Sequence, residues 1–78
     1  MQKRSLLVVE WDDVTTCTTW HAESRCKEET PIRTYSVGWR LPASKGNVAI
    51  TPMRAEYGKC NDIQIIPRGC IRNIRRVE

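Results

Sequence analysis

The 78-residue chain has no phenylalanine, one histidine and no long hydrophobic run. Its apolar stretch Leu6-Leu7-Val8-Val9 ends at Glu10, so it is too short for a membrane span or for the core of an export signal. We therefore expect a cytoplasmic protein that does not interact with membranes. Thiols stay reduced in that compartment, so the four cysteines are expected to be free.

The residue patterns of common active sites are also missing. The sequence has no Ser-His-Asp order, no phosphate-binding glycine loop and no paired carboxylates, so it does not predict an enzyme or a cofactor. It also lacks the Cys-x-x-Cys knuckle that makes a zinc pattern specific. The residues with zinc-binding chemistry are irregularly spaced: Cys17, His21, Cys26 and either Cys60 or Cys70. Ordinary reduced cysteines are the preferred interpretation.

Length and charge describe one small basic domain spanning residues 1–78. A domain of this size buries only about 60% of the surface of its unfolded chain, so self-association into an oligomer would add stability. The net charge is +4, and arginines crowd the last part of the chain at Arg68, Arg72, Arg75 and Arg76. This basic end favours an anionic partner. The alternative is a solvated strand edge that the arginines protect from pairing.

Runs of β-branched and large apolar residues predict five short strands, at residues 5–11, 32–41, 47–53, 62–66 and 71–77. In the second strand, the heavier face with Tyr35, Val37 and Trp39 is expected to point inward. Gly38 indicates a sharp bend or the close approach of another backbone. Residues 54–61 are predicted to be a polar loop.

The segment between the first two strands predicts one short helix. Residues 20–27 tolerate helix, Thr18 or Thr19 is suited to cap it, and Trp20 is expected to dock onto the sheet. Together with Trp11 and Trp39, this tryptophan is interpreted as a core filler.

The connection between the last two strands is the most informative part of the sequence. Pro67 blocks a continuing ladder, and Gly69 allows a turn that a Cβ would resist. A strand, one tight helical turn and another strand is how a small, strongly bent barrel crosses from one sheet to the other. The predicted fold class is therefore all-β, a small five-stranded barrel with one short helix after the first strand.

Several motifs resemble known families. Residues 66–74, which read IPRGCIRNI, resemble the second signature of Sm-like proteins, although the first signature with its Asp-x-x-Asn loop is absent. Over nearly its full length the chain resembles a widespread set of small phage-encoded β-barrel proteins. The shared motifs are Glu10-Trp11, Trp20, Ser36-Val37-Gly38-Trp39 and the Ile-Pro-Arg-Gly-Cys-Ile at residues 66–71. The resemblance implies a phage origin and a compact SH3/Sm-like barrel, and it implies no particular activity.

The candidate binding residues combine one aromatic with four cations. Tyr57 lies in the predicted polar loop, where an aromatic has no packing role, and Arg54 and Lys59 flank it. Aromatics beside cations stack bases in small barrels that bind nucleic acids. With Arg68 and Arg72, these residues are the predicted site for a nucleotide or a nucleic acid.

The phage resemblance makes three roles reasonable. The leading hypothesis is a non-enzymatic binding protein in the host cytoplasm that acts on host machinery. Such a counter-defence protein would bind or sequester an anionic ligand on a basic face, in keeping with a closed homo-oligomer. The alternatives are an inhibitor that binds a host protein through its loops, and a virion or structural protein.

Overall fold

The computed structural model describes residues 3–14, 20, 22–28 and 30–77. Within these ranges the strands are β1 (Leu6–Asp13), β2 (Ile32–Leu41), β3 (Asn47–Thr51), β4 (Met53–Ala55), β5 (Lys59–Asn61), β6 (Gln64–Pro67) and β7 (Ile71–Arg76). Short 3-10 helices span Glu23–Glu28, Glu56–Gly58 and Arg68–Cys70. None of the helices in the described ranges has the length and apolar character needed to cross a bilayer.

Five of the strands form one antiparallel sheet in the order β6-β3-β2-β1-β7. β1 lies between β2 and the edge strand β7, so that Val9 is paired with Ser36 of β2 on one side and with Ile74 of β7 on the other. The remaining two strands, β4 and β5, form a separate antiparallel pair. The all-β class predicted from the strand pattern is confirmed.

β2 changes its partner along its length. Residues 32–39 pair with β1, whereas residues 39–41 pair with β3. The two ladders meet at Trp39, and a Cβ on the preceding Gly38 would lie 2.8 Å from the backbone oxygen of Thr51. Only glycine lets the two backbones approach this closely, which confirms the interpretation of Gly38.

The predicted strand, turn and strand at the end of the chain are confirmed. β6 ends at Pro67, the 3-10 helix Arg68–Cys70 follows, and β7 begins at Ile71. The barrel, however, is not closed, because β6 and β7 form the two edges of the sheet without a ladder between them in the described ranges. β6 has only four residues and ends in a proline that lacks the donor to continue a ladder. The role given to Gly69 is wrong, because a Cβ there would meet nothing within 4 Å and its φ is not positive.

The segment between β1 and β2 contains a 3-10 helix, Glu23–Glu28, in place of the short helix predicted at residues 20–27. Its six residues are the longest helix in the described ranges. Thr18 and Thr19 lie outside those ranges, and Trp20 is fully exposed and does not dock onto the sheet. The physical reason is that β1 continues past Trp11 to Asp13, where Asp12 is paired with Arg33 of β2. The connecting segment therefore begins at the far end of a long hairpin.

The core lies on one face of the sheet. Its buried side chains are Leu7, Val9, Val48, Ile50 and Ile66, and Trp11, Ile71 and Ile74 pack against them. β1 and β3 therefore contribute most of the core, and β6 and β7 complete it.

β2 faces this core with small residues. Ser36 and Gly38 are paired with the buried Val9 and Leu7, so Tyr35 and Val37 point to the other face. They are 64% and 54% exposed, which makes the predicted inward face of β2 wrong. Trp11 covers the small residues instead, and its Nε1 donates a hydrogen bond of 3.0 Å to the Ser36 hydroxyl.

Candidate anion-binding groove

A short hairpin, which we call the arm, projects from the end of β3. It consists of β4, the 3-10 turn Glu56–Gly58 and β5, so the loop predicted at residues 54–61 is wrong. The third strand ends at Thr51 instead of residue 53, because Pro52 separates it from the arm. Runs of three residues are too short for alternation to reveal them as strands.

Thr51 fastens the arm to the sheet. Its side chain is fully buried, and its Oγ1 lies 2.5 Å from the carbonyl oxygen of Asn61 and 3.0 Å from that of Met53. The same oxygen accepts a hydrogen bond of 3.2 Å from the backbone N–H of Met53. A hydroxyl has one proton, so it donates to one of the two carbonyls, of which Asn61 is the nearer. Both strands of the arm are thus held at their bases by one side chain.

The tip of the arm holds an aromatic residue in a strained conformation. Tyr57 and Gly58 both have positive φ, of 67° and 74°, within the three-residue connection between the paired Ala55 and Lys59. For a bulky residue, this left-handed backbone conformation costs about 1–3 kcal/mol of conformational free energy. Tyr57 is also 93% exposed, so packing does not compensate for the strain.

The arm forms one wall of a cleft of about 1000 Å³. Arg54, Tyr57 and Lys59 line it, so the structure brings together three of the five predicted site residues. Its other lining residues are Arg4, Leu41, Pro42, Glu56, Gly58, Cys60 and Ile63. Glu56 is the one carboxylate among them.

A second cleft of about 500 Å³ is the more basic of the two. Among the described residues it is lined by five cations and no carboxylate: Lys3, Arg4, Arg40, Lys45 and Arg68. Arg68 is held in place because its backbone N–H donates a hydrogen bond of 2.8 Å to the carbonyl oxygen of Gly46. Arg40 is fixed in the same way, through a bond of 2.8 Å from its N–H to the carbonyl oxygen of Ser5.

The two clefts adjoin, because Arg4, Leu41 and Pro42 line both. We call the combined surface the basic groove. Five cations in one cleft and three in the other, with Arg4 shared, give seven cationic residues against the single carboxylate of Glu56 among the residues that the structure describes. A groove lined by one sign of charge concentrates ligands of the opposite sign.

Sequence reasoning missed four of these cations. Lys3, Arg4, Arg40 and Lys45 are scattered between residues 3 and 45, and each lies near the end of a strand or in a turn. Only the sheet topology brings these strand ends beside Arg68. The basic character of the first residues was the one available signal.

Arg72 lines neither cleft. Its Nε lies 2.6 Å from Oδ2 of Asp12, whose Oδ1 also accepts a hydrogen bond of 3.0 Å from Nε of Arg33. Arg33 also contacts Glu10, with 2.5 Å between its Nη1 and the carboxylate. The guanidinium groups of Arg72 and Arg33 lower the pKa of Asp12, and the hydrogen bonds to Asp12 and Glu10 raise the pKa of Arg33. Arg72 thus belongs to an ion-pair cluster.

The zinc ligands considered from sequence are only partly described. Cys17 and His21 lie outside the described residues, and the side chain of Cys26 does too. Cys60 is an exposed free thiol, and Cys70 is a free thiol that is half-buried. Among the residues that the structure describes, no three His, Cys, Asp or Glu side chains cluster closely enough to hold a metal ion.

Comparisons of the chain with protein-family models, with curated proteins and with solved structures find no match. The features that bear on function are those of the groove itself. They are its seven cations, its exposed tyrosine and its place between the arm, the β2–β3 turn and the 3-10 helix after β6.

Proposed function

We propose that this protein is a small, non-enzymatic binding protein that holds a nucleotide or a nucleic acid in the basic groove. One observation carries the proposal, namely the cleft that Lys3, Arg4, Arg40, Lys45 and Arg68 line, with no carboxylate among its described lining residues. Cations gathered in one place repel each other, and an anion that binds among them relieves this repulsion. Phosphate suits such a site, because arginine binds it with paired hydrogen bonds and lysine as a point charge.

Tyr57 supports a ligand that carries bases in addition to phosphates. Its ring is exposed beside Arg54 and Lys59 at the end of the groove. Stacking a base on an exposed aromatic contributes about 1–3 kcal/mol and tolerates any sequence. Backbone strain like that of Tyr57, at an exposed position, is typical of residues that take part in ligand binding.

The biological setting comes from the resemblance to small phage proteins. We include in the proposal a phage origin, the host cytoplasm as the place of action, and a counter-defence role that removes a nucleotide or nucleic acid from host machinery. The finer fold description, an open member of the small SH3/Sm-like barrels, belongs to the same proposal. It is supported by the partner change of β2 next to Gly38 and by the three-residue turn between the edge strands β6 and β7.

Charge reversal in the groove tests the proposal. Binding of fluorescently labelled single-stranded DNA and RNA is measured by anisotropy, with unlabelled mononucleotides and cyclic dinucleotides as competitors. Arg68→Glu is expected to weaken binding at least tenfold, because it removes one phosphate contact and adds repulsion. Arg75→Glu is the matched control, since Arg75 is an exposed arginine of β7 that lines neither cleft.

The control decides between a site and a general charge effect. Arg75→Glu should change the affinity only a few-fold, as expected for a distant charge screened by salt. Equal weakening by both variants would contradict a specific groove. Absence of binding to every nucleic acid and nucleotide tested would overturn the proposal as a whole.

A protein target is the second candidate, and the exposed apolar end of the β1–β2 hairpin favours it. Trp20 is fully exposed there, and Val14 and Ile32 are exposed beside the ends of the two strands. Tryptophan is enriched among the residues that dominate protein interfaces. Under this hypothesis a host protein co-purifies after nuclease treatment and is lost in Trp20→Ala. Retention of the partner by that variant would exclude this surface.

A further inference from the structure

The first half of β2 has a free edge. Residues 32–38 pair with β1 on one side. On the other side β3 pairs only with residues 39–41 and lies against Gly38 through Thr51, so residues 33–37 have no ladder partner there among the described strands. Backbone donors and acceptors of such an edge are available for pairing with another strand. The free edge of β2 is therefore a site for an additional strand.

The other two edges of the sheet carry features that discourage pairing. β7 presents Arg72, Arg75 and Arg76 within six residues, and cations protect an edge strand. β6 is only four residues long and ends in Pro67, which cannot donate to a ladder. The free edge of β2 has neither feature.

The free edge is nearly neutral and carries apolar side chains. Arg33 is its one charged residue, and its charge is matched by the carboxylates of Glu10 and Asp12. Tyr35 and Val37 are exposed on the outer face of β2, which is the face opposite to the core. An incoming strand would meet no uncompensated charge and would cover both side chains.

We propose that a second copy of this chain pairs with the free edge of β2, strand to strand and antiparallel about a two-fold axis. Two identical neutral edges are self-complementary, as a two-fold interface requires. The paired strands would join the β1–β2 parts of two molecules into one continuous sheet. The apolar surface buried in this way adds to the thin core of each copy.

The length of the free edge sets the register. Residues 33–37 overlap completely when Tyr35 lies opposite Tyr35 of the second copy. Thr34 then lies opposite Ser36, and Arg33 lies opposite Val37, twice in each dimer. The two Tyr35 side chains would lie directly across the two strands, and aromatic pairs in this position stabilise a sheet. The aliphatic part of Arg33 would make an apolar contact with Val37, which also stabilises the sheet.

The surroundings of the edge leave room for the second strand. A cleft of about 500 Å³ opens beside Ser36 and Val37, and it is lined on its other side by Ile50, Pro52, Asp62, Ile63 and Gln64. Ile63 is an exposed apolar residue there and has no partner strand of its own in the described ranges. The second copy would cover it together with Val37.

The oligomeric state tests this proposal. Sedimentation equilibrium of the purified full chain is expected to show a concentration-dependent dimer. Tyr35→Lys should weaken the dimer at least tenfold, because two ammonium groups would face each other across the axis. The monomer should tolerate this change, since Tyr35 is exposed and lies opposite Glu10 of its own sheet. A wild-type protein that stays monomeric up to roughly 1 mM would overturn the proposal, because a weaker contact has no role in a cell.

A pair of substitutions at one position tests the register. Val37→Lys places a cation opposite Arg33 of the second copy, and Val37→Glu places an anion there. Because each dimer contains this pair twice, the Glu variant should form a dimer about tenfold tighter than the Lys variant. Equal affinities would overturn the proposed register.

Ile65→Lys is the matched control for surface charge. Ile65 is 63% exposed on β6, away from the free edge. This variant should form dimers like the wild type, and a comparable loss would overturn the assignment to β2. Circular dichroism of each variant shows whether it is folded. Since the edge does not belong to the basic groove, Tyr35→Lys should still bind single-stranded nucleic acid if the proposed function holds.

Discussion

At the scale of single residues, one position of the chain adopts a backbone conformation that its side chain disfavours. Tyr57 occupies a position of the arm's turn that asparagine or glycine adopts readily. We expect Tyr57→Asn to raise the free energy of unfolding by about 0.5–1 kcal/mol, because it relieves the backbone strain. The same change should weaken nucleic-acid binding several-fold. Urea denaturation measures the stability, and fluorescence anisotropy measures the binding. A lower stability of the variant would contradict the interpretation that the backbone of Tyr57 is strained.

Two glycines form a second comparison at this scale. A Cβ on Gly38 would lie 2.8 Å from a backbone oxygen of Thr51, whereas one on Gly69 would meet open space. Gly38→Ala should therefore destabilise the fold by about 1–3 kcal/mol. Gly69→Ala should be neutral or slightly stabilising, since it only restricts the unfolded chain. Thermal denaturation of both variants is the measurement, and equal melting temperatures would mean that β2 and β3 do not approach closely at Gly38.

Asp12 makes the stability depend on pH. Arg72 and Arg33 lower its pKa below the ordinary value of 3.8, so the unfolded chain binds the proton more tightly than the folded one. The stabilisation is therefore present above about pH 4 and is lost as the pH falls through the folded pKa. At pH 7 the wild-type protein should have a higher free energy of unfolding than the Asp12→Asn variant. This difference between the two proteins should vanish near pH 2. A difference that persists at low pH would contradict the ion pairs as its source.

Among the elements, the arm depends most on one neighbour. A two-stranded hairpin is marginal in water by itself, and Thr51 holds the bases of both its strands. Thr51→Val keeps the shape but leaves buried backbone groups without their partner, which should destabilise by about 1–3 kcal/mol. Hydrogen exchange should then accelerate in residues 53–61 and change little in β1. Uniform acceleration would indicate that the arm and the sheet unfold together.

The elements also show what alternation can and cannot predict. It placed the five strands of the main sheet, because their apolar runs are long enough to show a period of two. It did not predict which face of β2 is buried, since Tyr35, Val37 and Trp39 are heavier than Thr34, Ser36 and Gly38. That choice depends on Trp11, which fills the space above Ser36 from the neighbouring strand. Closure of the barrel depends on pairing between distant strands, which local patterns do not reveal.

At the scale of the whole molecule, the groove is assembled from four separate parts of the chain. Sequence reasoning found Arg54, Tyr57, Lys59 and Arg68, because they lie in polar segments with turn residues. It also chose Arg72, which stands four residues after Arg68 but on a strand that points it toward Asp12. Proximity along the chain was a poor guide at this point, because Arg68 belongs to the 3-10 helix Arg68–Cys70 and Arg72 to the strand that follows it.

The charge of the groove predicts a strong dependence on salt. Each phosphate contact to a single strand contributes a slope of about −0.7 in log K against log salt, so four to seven contacts give about −3 to −5. Arg68→Glu should reduce the magnitude of the slope by roughly 1. Anisotropy titrations over a range of potassium concentrations measure it. A slope near zero would point to an apolar interface and to the protein-target hypothesis.

The place of β1 between β2 and β7 affects how the chain folds during synthesis. β1 is made first among the strands, yet one of its two partners is β7, the last of them. During translation β1 can pair with β2 early, but its other edge stays open until nearly all the rest has left the ribosome. Long-range pairing of this kind slows folding and exposes unpaired strand edges to aggregation. The nascent chain is therefore expected to be a chaperone client until β7 has left the ribosome and pairs with β1.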